Sequence, residues 1–512
     1  MKANARNISL TVIFLLILVV LALLIGKFTF SYLAPDIKGD VEGQGEVTAS
    51  GDTLIFTKGN NLSLKATTDN FNGASSNLTS TTNPSVKLVA SNKTNNATAT
   101  YYAGIKIKSN TYKYSTDAKT AEIILTVLDE NGDAVTTSAD DLSYVTVNGV
   151  SGFDITEKVG VFNISVDHSI ATKSSTSGTT HTWTFTLTFI NLETDQSINE
   201  DGSLEMEAIL QKDKIIMPLA DYVKAQYTGT QGGNNLYLHD SSLTNGAKDN
   251  SYRYAGPSET TNNFVCFGYD STDGSCPTDN LYRIIGVFGD EVKLIKYDYA
   301  KSTLLGTDGD YGETYQASGF GGTNKGLNSQ AEIGGYYWNR KGTNIWSESR
   351  LNTVNLNKNY INNIEPKWSE KISDHTWKVG GNTLDNIGSQ TAPNAYQNEI
   401  SSPATNKTVN AKVGLMYVSD YGYAASSSSW STPLYNYDKV IANNWMYMGL
   451  AELTLAPQTN NSINIFSVLK TGDVNIDYVE ISTIGVRPVL YLKSTVSYAG
   501  GSGTAAKPIL VN

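Results

Sequence analysis

The chain has 512 residues, enough for two to four domains with full cores, which excludes a lone small module. Charged residues make up only 17% while Gly reaches 44 and Tyr 30, and together with 40% hydrophobic residues this describes a folded, weakly charged chain rather than a disordered one. A formal net charge of −11 removes the electrostatic grip on phosphates that nucleic acid requires, so no nucleic-acid partner is expected.

The first element is an apolar run from Ile8 to Ile25, in which only Ser9 and Thr11 are polar. As a helix it spans about 27 Å of hydrocarbon, the thickness of a membrane core. Lys2 and Arg6 precede it, so the positive-inside bias keeps this short end in the cytoplasm and sends everything after Lys27 outside. A cleavable signal peptide is the rival reading. It expects a shorter apolar region and small residues at the cleavage site, whereas Tyr32 stands in Tyr32-Leu33-Ala34. The uncleaved anchor is favoured. No Asp or Glu occurs before Asp36, which disfavours assembly as a type IV pilin. Residues 1–36 are thus assigned to a cytoplasmic tip, a single-pass membrane anchor and the start of a tether.

Residues 37–213 alternate with period 2, most clearly in Thr182-Trp183-Thr184-Phe185-Thr186-Leu187-Thr188-Phe189. Similar runs at Leu54–Phe56, Leu62–Lys65, Val86–Val89, Thr98–Ile107, Ala121–Val127, Tyr144–Val147, Val161–Val166 and Leu204–Leu210 bring the count to about nine short strands. That predicts an all-β, immunoglobulin-like sandwich. Asp129-Glu130-Asn131-Gly132-Asp133 has carboxylates spaced as in a calcium loop, but Ala134 stands where Gly is needed and no Glu closes it, so it reads as a hairpin turn.

Residues 214–233 form a linker with one short amphipathic helix, for which Pro218 sits at a plausible first turn and Leu219, Tyr222, Val223 and Tyr227 share a face. From 234 to 512 the chain turns rich in Tyr and Trp. Strands are expected at Leu281–Val287, Val292–Lys296, Val413–Val418 and Val486–Leu492, and helices at Ser347–Asn363 and Glu365–Ile372, which makes this an α+β domain.

The later landmarks carry a resemblance. Asn263-Phe264-Val265-Cys266-Phe267-Gly268, Leu281-Tyr282-Arg283-Ile284-Ile285-Gly286, Trp346-Ser347-Glu348-Ser349-Arg350-Leu351-Asn352, Gly414-Leu415-Met416-Tyr417-Val418-Ser419-Asp420-Tyr421 and Gly485-Val486-Arg487-Pro488-Val489-Leu490-Tyr491-Leu492 follow one another in order. Together they resemble an uncharacterised family of bacterial surface domains with a C-type-lectin-like fold. The resemblance implies a surface-exposed module with no agreed biochemical activity. Relatives carry W-x-L-R-S-P before the last strands where this chain has Trp445-Met446-Tyr447-Met448 and Leu453-Thr454-Leu455-Ala456-Pro457, so no ligand role carries over through that arginine. Through Gly152-Phe153-Asp154-Ile155-Thr156 and the Trp183 strand, the front half resembles camelysin-like and matrix-fibre sandwiches, which implies cell-surface display and strand exchange between copies.

Chemistry is sparsely signalled. His168, His181, His239 and His375 are scattered, and no zinc ligand set can be assembled from their spacing; no metal or cofactor is expected. No histidine stands in a nucleophile setting, so no catalytic residue is assigned. Cys266 and Cys276 bracket an Asp273-Gly274 turn, and in an oxidising compartment they are expected to form a disulfide. Binding is better supported: Tyr421, Tyr423, Trp430, Trp445 and Tyr447 are candidate ligand contacts, with core packing as the alternative for each. Arg487 is expected to be buried in a structural pair with a carboxylate such as Asp420.

The sequence therefore describes a membrane-anchored extracellular surface protein that binds a glycan or protein ligand without catalysis, with a fibre or matrix component and a glycan-modifying enzyme as alternatives. Protease added to intact cells is expected to release a soluble fragment carrying both Trp183 and Trp445, seen by immunoblotting. Full protection would reverse the orientation.

Overall fold

The computed structural model describes residues 44–49, 52–67, 77–91, 96–140, 142–172, 178–271, 275–315, 322–382, 389–480 and 484–512. The apolar run Ile8–Ile25 and the Asp273-Gly274 turn lie outside them, and among the described residues no helix is long and apolar enough to cross a membrane. The protein is multidomain and mostly β, with several antiparallel sheets and few helices.

In the front half the period-2 pattern does what it predicts. Leu62 and Leu64 are buried while their neighbours are exposed, and Ser203–Gln211 buries every second side chain. Thirteen strands are described here, all antiparallel and grouped in three sheets. Four more appear than the alternation predicts: Gln44–Ala49, Leu78–Thr82, Val150–Asp154 and Thr179–Thr182. Thr, Ser and Gly dominate most of them, so they carry no clear apolar stripe.

The expected run Thr182–Phe189 is broken. Thr179–Thr182 pairs with Ser85–Val89, whereas Thr184–Phe189 pairs with Leu78–Thr82 and Ile123–Leu128, so the chain changes sheet at Trp183. Pro84 interrupts the facing strands, having no N–H for a ladder, and its carbonyl accepts the Trp183 N–H at 3.1 Å. The Trp183 indole turns into the core instead, fully buried beside Tyr101 and Phe185.

The second half is built on a ten-stranded sheet. Its central strands, Leu281–Phe288 and Glu291–Lys296, pair with each other, and Val489–Leu492 extends them. Ile509–Val511 lies parallel to Phe264–Cys266, the one parallel ladder in this sheet. Smaller antiparallel sheets and short helices cover it, including the wide-turn helix Leu351–Tyr360 and the helix Val418–Tyr423. The expected strand Val413–Val418 is therefore only Val413–Gly414, after which Asp420 caps a helix by accepting the Tyr417 N–H at 2.9 Å.

The segment 214–233, expected as a helical linker, is packed into the unit formed by residues 234–512, here called the head. Met217–Pro218 pairs with Ser497–Gly500. The helix Leu219–Ala225 buries Leu219, Ala220, Tyr222 and Val223 in the head's core, with Tyr222 stacked on Tyr498 at 3.7 Å between ring centroids. The front-half sheets meet it through Asn163, whose side-chain amide exchanges two hydrogen bonds with the Ile215 backbone at 3.0 and 3.1 Å.

Cys266 and Cys276 form the expected disulfide, joining the end of a sheet strand to the short turn before Leu281. Closing a loop of about ten residues stabilises the fold by about 2.7 kcal/mol in the loop-entropy account. Replacing both cysteines by serine is expected to lower the Tm of the head by about 5 °C in calorimetry. An unchanged Tm would remove the staple role.

Candidate functional site

The five aromatic candidates are core residues. Tyr421, Tyr423, Trp430 and Trp445 are at most 1% exposed and Tyr447 is 9% exposed. Four of the polar tips are turned to backbone carbonyls, Tyr421 Oη donating to Gly472, Trp430 Nε1 to Ala425, Trp445 Nε1 to Tyr254 and Tyr447 Oη to Lys470, while the buried Tyr423 hydroxyl has no hydrogen-bond partner among the described residues. Tyr423 packs edge-on against Trp430. An amphipathic ring in this composition suits a binding surface and a wet core equally, and here burial decides for the core.

Arg487 is buried and paired, but Asp420 is not its partner. Both oxygens of Glu452 accept from Arg487, at 2.8 and 2.7 Å, and the Met446 carbonyl takes a third bond at 2.7 Å. A parallel bridge between Glu452 and Gly485 places the two side chains together across segments far apart in sequence. Asp420 instead holds Lys293 at 2.5 Å and lies 3.8 Å from Arg253, which in turn binds Asp249 at 2.6 Å. These groups enclose a cavity of about 60 Å³, room for water rather than a ligand. Nearby, burial pushes the Glu399 carboxyl up to about 7, although it accepts the N–H groups of Val418 and Ser419.

A larger cleft opens at the other end of the same strand. Glu291–Lys296 carries two lysines, and alternation places Lys293 and Lys296 on opposite faces, yet both are 1% exposed because both faces are covered. Lys296 pairs across the ladder with Tyr282 and lines a cleft of about 300 Å³. Leu304, Ile364 and Tyr282 form its apolar wall; Lys301, Asp279, Thr303 and Glu365 stand around it. Lys301 is tied to Asp279 and Glu332 at 3.1 and 3.4 Å. Lys296 Nζ donates to the Asp279 carbonyl at 2.9 Å, a neutral acceptor, and no ion pair within 4 Å is formed among the described residues. The disulfide anchors the segment that supplies Asp279 and Asn280 to the rim.

No signal in the sequence marks this cleft as a site, beyond a lysine embedded in the apolar strand Val292-Lys293-Leu294-Ile295-Lys296. The histidines of the head take no part: His239 packs against Tyr423 and Trp430, and His375 stacks on Tyr491. No family model, curated protein or solved structure matches the chain.

Burial is the main reason that the Lys296 ammonium is shifted down to about 8, with Asp279 and Asp298 pulling it back up. The unfolded lysine titrates near 10.5, so between those values the unfolded chain binds more protons and stability rises with pH. The wild type is expected to gain stability relative to Lys296→Met between pH 7 and 10, measured by denaturant unfolding at each pH. A difference that stays constant with pH would show that the lysine titrates as in water.

Proposed function

We propose that this chain is a membrane-anchored surface protein in which an immunoglobulin-like sandwich carries a C-type-lectin-like head, and that the head binds a ligand in the Lys296 cleft without chemical turnover. The apolar run behind Lys2 and Arg6 supports the anchor. The disulfide suits an oxidising compartment.

The observation that carries the binding reading is the Lys296 ammonium, desolvated, bonded to one carbonyl and lining an open cleft. An ammonium so placed gains most from an anionic group that completes its hydrogen bonds. The carboxylates of Asp279 and Glu365 and the Thr303 hydroxyl accept hydrogen bonds from hydroxyl groups, and Leu304 and Ile364 pack against the apolar face of a ring. At about 300 Å³ the cleft stands at the small end of ligand sites and suits one ring-sized unit. A carboxylate-bearing sugar of an extracellular polysaccharide satisfies all three features.

The test is an array of acidic glycans, neutral glycans and acidic peptides probed with the full chain in detergent. Binding of an acidic glycan, weakened at least tenfold by Lys296→Met, is the expected result, and tenfold corresponds to about 1.4 kcal/mol. Capture of acidic peptides alone would reassign the ligand, and binding indifferent to Lys296→Met would move the site elsewhere.

A further inference from the structure

Three side chains far apart in sequence meet at one corner of the sandwich. Glu130 stands in the turn after Ile123–Leu128, His168 on Gly160–Thr172 and His181 on Thr179–Thr182, so each of the three sheets contributes one. A ligand atom from each lies within 4.8 Å of the other two. His168 Nε2 is 2.9 Å from Glu130 Oε2, and His181 Nδ1 is 3.6 Å from Glu130 Oε1.

The backbone is shaped to bring them there. Between Ser165 and His168 the Gly160–Thr172 strand carries an extra residue against its partner, with Asp167 in the left-handed region at φ 49°, and this bulge sets His168 opposite Tyr101. Asp129 Oδ1 accepts the N–H groups of Asn131 and Asp133 at 2.8 and 3.0 Å and so fixes the turn that presents Glu130.

We propose that Glu130, His168 and His181 bind a late first-row divalent cation, with zinc as the reference ion, and that the cation ties the three sheets of the sandwich together. Zinc takes imidazole nitrogen and carboxylate oxygen at about 2.0–2.2 Å, which in a tetrahedron spaces the ligand atoms about 3.3 Å apart. The two separations to Glu130 bracket that value and the two imidazole nitrogens lie within 4.8 Å of each other, so shifts of about 1–1.5 Å complete the site. Two imidazoles with one carboxylate favour zinc, copper or nickel over calcium and magnesium, which prefer oxygen.

The surroundings serve ligation. His168 Nε2 donates to Glu130 at 2.9 Å while its Nδ1 accepts from the Ser165 hydroxyl at 3.3 Å. On cation binding the proton moves through solvent from Nε2 to Nδ1, which then donates to Ser165. Trp183 Nε1 donates to Tyr101 Oη at 2.9 Å, and that hydroxyl caps His181 Nδ1 at 3.0 Å. The cation takes over this lone pair, and the Tyr101 hydroxyl gives up its bond to His181 while keeping the one from Trp183. The three side chains keep 14–24% exposure, which leaves a path from solvent and a fourth position for water.

Full chain treated with chelator and returned to chelator-free buffer is titrated calorimetrically with zinc chloride. One equivalent bound with micromolar or tighter Kd is expected, with a Tm rise of several degrees that magnesium does not reproduce. His181→Asn and Glu130→Gln should each weaken binding at least tenfold while leaving acidic-glycan capture by the head unchanged. Absence of saturable zinc uptake overturns the site, as does uptake undiminished in both variants. Should a variant fail to fold, the wild-type Tm decides: no zinc-dependent rise sinks the proposal.

Discussion

Taking a cation out of water costs several kcal/mol unless charges or dipoles replace the solvent, and among its described residues the head buries five cations: Arg253, Arg283, Lys293, Lys296 and Arg487. How each is answered sets much of the architecture. Glu452 is drawn to the closing strand by Arg487, Asp420 joins the cap of the Val418–Tyr423 helix to the central strand through Lys293, and Asp249 brings its loop to Arg253. Arg283 finds neutral partners, bonding to Asn263, Ser258 and the Thr261 carbonyl while its guanidinium lies between the rings of Phe264 and Trp445. In a chain with so few charges, these contacts bind covering segments to the sheet more specifically than apolar packing does. Lys296 stands apart because it donates to one carbonyl and otherwise has the Tyr282 ring beside it, and the cleft lies where that compensation is incomplete.

The three front-half sheets solve a different problem with different means. Its core strands follow simple alternation, but three sheets share one hydrophobic core, and the strands that cross between them need places to break their ladders. Pro84 and Trp183 provide one such place. A bulge at Asp167 provides another irregularity. Departures from regular pairing here gather around Tyr101, Trp183 and the two histidines, where aromatic edges and polar tips pack together. Local irregularity and the polar cluster thus coincide.

What was legible in the sequence followed from short-range rules. Alternation located the strands, the Asn131-Gly132 pair located a turn, and Pro218 located the start of a helix, because each depends on neighbours a few residues away. Cysteine spacing sufficed for the disulfide for the same reason. The Glu452 partner of Arg487 escaped notice because a parallel bridge between separate segments creates it. His168 and His181 looked scattered because their meeting depends on which sheet each strand joins and on one extra residue in a ladder. Burial of the Tyr and Trp residues was equally invisible, since their composition is shared by cores and by binding faces.

The parallel ladder between Phe264–Cys266 and Ile509–Val511 has a consequence for biogenesis. A chain synthesised from its N-terminus releases Phe264 long before Ile509 arrives, so the middle of the head's sheet stays open until synthesis is nearly finished. Non-local pairing of this kind slows folding, because loop-closure entropy is spent before the contacts repay it. Until then the strand edge and the buried lysines are exposed to water and to other nascent copies. The front-half sheets, complete by Gln211, are free to fold ahead of the head, so each molecule matures from front to back with its second half last.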